Sequence, residues 1–303
     1  MKAIRLFPNN MNINFLRHRV IGVILSATIL LGTLGLLFTK GLNFGIDFTG
    51  GMIIEVQVEP APDLSIMRED LNALNLGSIA IQEFGSPNDI LIRVPEQEGG
   101  PDAQKAAETS IREMIDVMEG HNVEYRRVEF VGPQVGDELV EAGLYAVIFS
   151  LLGIMAYVSM RFEWQFGAAA ITALIHDVFA ILGFFALTQK QFDLATVAAI
   201  LTVAGYSIND TVVIFDRIRE NVRKFKKMPL VELANKSLNE TLSRTILTSV
   251  TTLLALAALW FFGGEVIRGF VDALIVGVVI GTYSTMFVAV PSVVKLGVKR
   301  TSE

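Results

Sequence analysis

Cysteine is absent from the 303 residues, which excludes disulfides, thiolate catalysis and cysteine-ligated metals. Histidine is nearly as scarce. The three present, His18, His121 and His176, fall in three separate compartments of the predicted topology, so no metal site is expected. Charged residues make up only 18% of the chain and their formal balance is −6, which leaves no basic surplus to attract nucleic acid. The glycine-rich stretch 45–51 lacks the Lys-Ser/Thr pair that completes a P-loop, and this argues against an ATPase.

Apolar surface is what the chain has in excess. Hydrophobic residues make up 52% of it and its mean hydropathy is +0.51, more than a soluble domain can hide. Lipid is the natural solvent for such a chain, and a segment in lipid must satisfy its own backbone hydrogen bonds. Long uninterrupted apolar runs therefore predict helices, because barrel strands alternate. About 20 residues rising ~1.5 Å each cross the hydrocarbon core. Runs near that length lie at 20–38, 139–160, 167–187, 194–215, 246–262 and 270–294, which predicts six transmembrane helices. The first could be a cleaved signal peptide, since Arg17 and Arg19 precede it. It exceeds the usual ~7–15-residue apolar core, however, and no A-x-A-like site follows, so a retained anchor is expected.

Lys and Arg resist translocation and set the orientation. Lys2, Arg5, Arg17 and Arg19 precede the first span, and Lys295, Lys299 and Arg300 follow the last. The segment between spans four and five carries Arg217, Arg219, Arg223, Lys224, Lys226, Lys227, Lys236 and Arg244, whereas two short loops on the opposite side hold only Lys190 and Arg268. One topology satisfies every loop. The termini, 1–19 and 295–303, are predicted to be cytoplasmic and residues 39–136 to lie outside.

Residues 40–136 hold seven basic and seventeen acidic side chains, as expected of a water-exposed domain. A strand at 52–58 precedes a helix opened by Asp63 as N-cap. Strands at 79–84 and 90–94 flank the turn Gly85-Ser86-Pro87-Asn88. A helix at 102–118, with Ile111, Ile115 and Met118 at helical spacing, leads to a strand at 123–131. The order is βαββαβ, the split βαβ motif. The predicted fold class is therefore an α-helical membrane protein, with six transmembrane helices and a small α+β, ferredoxin-like extracytoplasmic domain between helices 1 and 2. Such a domain fold hosts many functions and by itself argues only for a compact binding or spacing element. The glycines of 45–51 fit a tight backbone joint between membrane and domain better than a phosphate cradle.

Ionisable groups inside a span cost several kcal/mol, so each needs a partner or a task. In span four, Asn209 and Asp210 are the first candidates, and Ser207 and Tyr206 lie three and four residues back from Asp210 on the same helix face. Asp210 sits about five residues, roughly 7–8 Å, inside the predicted inner boundary. Span five opens at Arg244, with Thr248, Thr251 and Thr252 following on its face. If the two polar stripes face each other, Arg244 favours the carboxylate and desolvation favours the neutral acid, and a carboxyl balanced between them can gain and lose protons. The alternative is a static ion pair stitching two helices; both readings stand. His176 and Asp177 interrupt span three, either as a relay or as a neutral histidine bonded to a neighbouring helix. Asp137, Glu138, Glu141 and Asp272 are read as solvated residues near helix ends.

Several motifs carry a family resemblance. They are Phe44-Gly45-Ile46-Asp47-Phe48-Thr49-Gly50-Gly51 after span one, Gly205-Tyr206-Ser207-Ile208-Asn209-Asp210 running on to Asp216-Arg217-Ile218-Arg219-Glu220-Asn221, and Ser237-Leu238-Asn239-Glu240-Thr241-Leu242-Ser243-Arg244-Thr245. With Val131-Gly132-Pro133-Gln134-Val135-Gly136 before span two, they resemble the SecD/SecF family of the resistance-nodulation-division superfamily along essentially the whole chain. The resemblance implies a subunit of the bacterial inner membrane that pairs with SecD and associates with the SecYEG channel. It implies use of the proton motive force to complete preprotein export after SecA-driven steps, with protons and no other cofactor. It also implies Asp210 as proton carrier and Arg244 as its charge partner, with Tyr206, Asn209, His176 and Asp177 as polar surroundings and Gly45, Asp47, Gly50 and Gly51 as the junction.

Rival functions remain. A small-molecule efflux transporter could use the same carboxyl, but one small outer domain and no second six-helix repeat leave such a site half built. A passive scaffold would use no proton. An intramembrane aspartyl protease would need two cooperating aspartates, for which nothing else in the sequence speaks.

Overall fold

The computed structural model describes residues 12–298 other than 78, 119, 120 and 265, so Lys2, Arg5, Lys299 and Arg300 lie outside the described residues. The first apolar run forms α1, Arg19–Thr39. It stops where Gly41 takes a positive φ of 68° and the amides of Lys40 and Gly41 both close on the Leu36 carbonyl, the usual way glycine ends a helix. A two-residue strand β1, Asn43–Phe44, and one turn of helix α2, Ile46–Thr49, lead into the α+β domain.

That domain runs β2 (Gly51–Glu59), α3 (Leu64–Ala73), β3 (Ala80–Phe84), β4 (Ser86–Val94), α4 (Gly100–Asp116) and β5 (Asn122–Val131). The sheet order is β3-β4-β2-β5 and every pairing is antiparallel, so the first and third strands of the motif lie side by side in the middle. Asp63 accepts from the amides of Ser65 and Ile66 as the N-cap of α3. The β3–β4 turn is tighter than expected, with β4 beginning at Ser86, because Gly85 adopts φ 90° and closes the hairpin at once. One sheet face carries Ile54, Val56, Ile90 and Ile92 against Met67 and Leu71 of α3 and Ile111 and Ile115 of α4. All eight are fully buried, each worth about 1.5–3 kcal/mol against exposure. The other face carries Ile53 and Leu91 against Ile46 of α2. That face looks toward the helices.

Five further helical segments complete the chain: α5 (Pro133–Arg161), α6 (Trp164–Thr188), α7 (Leu194–Lys224), α8 (Leu230–Phe262), and a last one built of α9 (Arg268–Ser284), a π turn (Thr285–Ala289) and α10 (Val290–Leu296). A two-residue strand β6, Gln191–Phe192, precedes α7. Among the described residues, six helices are long and apolar enough to cross a membrane. α7 and α8 outrun the apolar segments 194–215 and 246–262, because a helix need not end where lipid does. The π turn sits just ahead of Pro291, where a proline lacks an N–H and crowds the preceding turn. α6, α7 and α9 pack centrally, whereas the apolar window of α5 has no buried residue. Gly277 and Gly281 of α9 press against Val203 and Ser207 of α7, a small-xxx-small approach that brings two backbones close.

Candidate functional site

Asp210 lies in α7, half buried, and accepts a hydrogen bond at Oδ1 from Thr245 Oγ1 of α8 at 2.8 Å. Its Oδ2 is buried and has no partner among the described residues. Arg244 acts on this carboxylate through space but makes no ion pair with it. The static ion pair, one of the two readings of the sequence, is not formed, and a threonine hydrogen bond stands in its place. The reason is angular: successive residues on a helix point ~100° apart, so when Thr245 (1% exposed) faces α7, exposed Arg244 is turned away. Arg244 instead lines an open cavity of about 950 Å³ between α7 and α8, with Arg217, Arg223 and Glu240.

The expected threonine stripe is also shifted. Thr248 and Thr251 are exposed and bond back to carbonyls of their own helix, while α8 turns Thr245 toward α7 and Ser249 toward α9. Ser249 meets Thr282 at 2.7 Å, and Thr211, next to Asp210, meets Thr285 of the π turn at 3.0 Å. Asn209 is exposed. Tyr206 packs with Leu256 and Val271, and its hydroxyl has no partner among the described residues. Neither residue bonds to Asp210.

Ser207 does not share Asp210's surroundings either. It donates to Asp177 Oδ2 of α6 at 2.7 Å, and Asp177 Oδ1 lies 3.2 Å from His176 Nδ1. Asp177 and His176 are 1% and 2% exposed. The His176 ring lies 5.9 Å from that of Tyr283, whose hydroxyl donates to the Gly22 carbonyl of α1 at 2.7 Å. This buried chain spans α1, α6, α7 and α9. Sequence reasoning named its two ionisable members but missed Ser207's true partner and Tyr283; small residues opposite, such as Gly281, were the available signal.

At the other end of α7 the junction motif folds against the α6–α7 link. β1 pairs in parallel with β6, Asn43 opposite Gln191 and Phe44 opposite Phe192. Gly45 donates to the Phe192 carbonyl at 2.8 Å, and Asp47 Oδ2 accepts from the Leu194 amide at 2.9 Å. Gly51, with φ 110°, lies so close to the Val94 carbonyl that a Cβ would meet it at 2.5 Å. No other residue type fits there. Arg93 of β4 donates to Gln191 Oε1 at 2.9 Å and Asn43 Oδ1 at 3.1 Å, and burial lowers its guanidinium pKa from the ordinary value. Asp137, Glu138 and Glu141 are exposed as expected. Asp272 is not: it is 7% exposed, paired with Lys190 and bonded by Trp260 Nε1 at 3.0 Å, because the α6–α7 link and the end of α8 cover it.

These features define a multi-pass membrane protein with a buried polar core and one attached α+β domain. The family model described as "Protein export membrane protein SecD/SecF, C-terminal" matches residues 110–299, and that of the "SecD/SecF GG Motif" matches 35–62. Protein translocase subunit SecF of Rickettsia prowazekii (strain Madrid E) is 45% identical over 297 residues, covering 95% of this chain and 92% of that protein. The SecF of Rickettsia bellii (strain OSU 85-389) is 44% identical over 295 residues, covering 95% and 94%. The crystal structure of SecDF, a translocon-associated membrane protein from Thermus thermophilus, superposes with a TM-score of 0.86 at 34% identity; the match covers 96% of this chain and 40% of that one. SecDF in its super-membrane-facing form gives 0.69 at the same identity and coverage. The chain belongs to the SecD/SecF family of protein-export membrane proteins.

Proposed function

We propose that the chain is the SecF-like subunit of the Sec protein-export machinery in the bacterial inner membrane. In this proposal both termini are cytoplasmic and residues of about 39–136 form the ferredoxin-like periplasmic domain. The subunit pairs with SecD, works at the SecYEG channel, and uses the proton motive force to complete preprotein translocation after SecA-driven steps. Protons are the coupling species and no cofactor takes part. The similarity to translocase SecF subunits over nearly the full chain supports this role.

Asp210 is the proton carrier in the proposal. The observation that carries this is its buried Oδ2, which has no partner among the described residues and so offers a proton a place with no bond to break first. Binding a proton there removes the charge that Arg244 attracts while Thr245 continues to donate to Oδ1. The balance between α7 and α8 then changes. The neighbouring Thr211–Thr285 contact joins α7 to the π turn, and π turns, with their wider hydrogen-bond spacing, are places where a helix can change register. One charge crossing 100 mV supplies about 2.3 kcal/mol, enough to bias two helix arrangements of similar energy.

The test is proton-gradient-dependent completion of secretory-protein export in vesicles containing the partner complex, comparing the native chain with Asp210→Asn at equal assembly. Loss of the gradient dependence is expected. Unchanged dependence removes Asp210 from the role and leaves His176, Asp177 or the partner subunit. Export that proceeds with the assembled complex but shows no gradient dependence even in the native chain would leave the subunit a scaffold.

A further inference from the structure

The central strand β2 leaves the membrane helices through Gly50 and Gly51, and the motif just before them closes on residues 189–194, the link into α7. Asn43 Nδ2 donates to the Gln189 carbonyl at 2.9 Å, Gly45 to Phe192, and Phe48 stacks on Phe192 with centroids 6.0 Å apart. Asp47 fills a specific need. The first amides of a helix have no partner within it, and Asp193 takes that of Thr196, while the Asp47 carboxylate takes that of Leu194. A negative charge at this end also suits the helix dipole. The α7 cap is thus partly supplied by the chain that carries the outer domain.

Arg93 fastens the same place from inside the sheet. Along β4, Ile90, Ile92 and Val94 face the helices of the domain core, so Arg93 and Leu91 point the other way. Its two terminal nitrogens span Asn43 and Gln191, joining β4 to both strands of the β1–β6 seam. α7 then runs 31 residues as one α-helix, without the π turn that interrupts the last helix. Asp210 lies sixteen residues, roughly 24 Å, from Leu194 along this rod.

We propose that Asp47 and Arg93 are positioning residues that tie the outer domain to the start of α7, so that a displacement of α7 begun at Asp210 is delivered to the sheet. This rests on the proton-coupling role of Asp210 given above. Neither residue handles the proton; each acts through Leu194 or Gln191. A packed helix moves as a body, and the domain follows only where it is held to that body.

The absence of cysteine allows two label pairs to be introduced without background. One pair, Glu113→Cys and Phe261→Cys, reports the outer domain against α8. The other, Glu220→Cys and Glu232→Cys, reports α7 against α8 at the opposite end. Distances are measured in vesicles holding the full chain and its partner complex, before and after a proton gradient is imposed. In the native chain both pairs respond, and in Asp210→Asn both fall silent; a response surviving in Asp210→Asn counts against the proton role itself. With Asp47→Ala or Arg93→Ala the inner pair still responds, while the outer pair and the gradient-driven gain in export lose most of theirs. Arg93→Lys restores part, since one ammonium reaches one of the two acceptors. If Arg93→Ala fails to assemble, Gln191→Ala removes the bond from its other side. A full outer response in both Asp47→Ala and the Arg93 or Gln191 variant overturns the link, as does loss of the inner response, which would make these contacts props of the bundle.

Discussion

Asp177 and Asp210 occupy neighbouring helices of one bundle in opposite circumstances. Asp177 is sealed, with a hydroxyl on one oxygen and an imidazole on the other. Asp210 is half buried, with one oxygen on Thr245, the other without a partner among the described residues, and a cation nearby that does not bind it. Under the role proposed for Asp210, depth of burial does not mark the working carboxyl. A group with every bond made holds helices together, whereas one with a bond unmade and a charge at a distance can change state cheaply.

The comparison breaks first at Asp210. Asp210→Asn is expected to abolish the gradient-dependent part of export while leaving the thermal unfolding temperature of the purified protein almost unchanged. Asp177→Asn should do the reverse. A Ser207→Ala change strands the buried Asp177 Oδ2 and should cost about 1–3 kcal/mol, read as a lowered unfolding temperature, with gradient dependence retained in the protein that remains folded. If Ser207→Ala abolishes coupling at full stability, the contrast between the two aspartates is wrong. Thr245→Ala removes the one hydrogen bond to Asp210, worth about 0.5–1.5 kcal/mol net, and should move the pH dependence of coupled export, with Thr245→Ser restoring it.

The smallest effect is expected at Glu240, in the part of α8 ahead of the apolar segment. Burial opposes its ionisation, but hydrogen bonds from Asn221, Arg217 and Lys236 outweigh this and hold its pKa below the ordinary value. A depressed carboxyl stabilises the fold above its unfolded pKa, and that contribution fades as pH falls through the folded one. Glu240→Gln should therefore lower stability at neutral pH by less than about 1 kcal/mol, given its partial exposure. The loss should shrink in acid, as pH-dependent unfolding can measure.

Much of this was legible in the residues. The six apolar runs lie within the six long helices because lipid leaves the backbone few options. The α+β domain's strands and helices fall within a few residues of their expected places because the alternation of Ile90, Ile92 and Val94 and the cap at Asp63 are local signals. The site was legible only in some of its members. Asp210 and Arg244 could be named and Thr245 could not, because which residue of α8 meets the carboxylate depends on a ~100° rotation of that helix that no spacing in the sequence specifies. Thr248 and Thr251 looked like partners for the same reason. Asp272 was taken for a solvated helix end, since its cover, Lys190 of the α6–α7 link and Trp260 near the end of α8, comes from two distant parts of the chain.

The sequence by itself determined the solvent in which the chain folds, the number of crossings and the family, since these follow from local hydropathy and contiguous motifs. Only the tertiary structure decided that Ser207 serves Asp177 rather than Asp210. It also decided that Asp47 caps a helix beginning 147 residues further on and that Arg93 grips the same link. Those are matters of helix rotation and of which distant backbone groups are left unpaired, and both are set when the elements pack together.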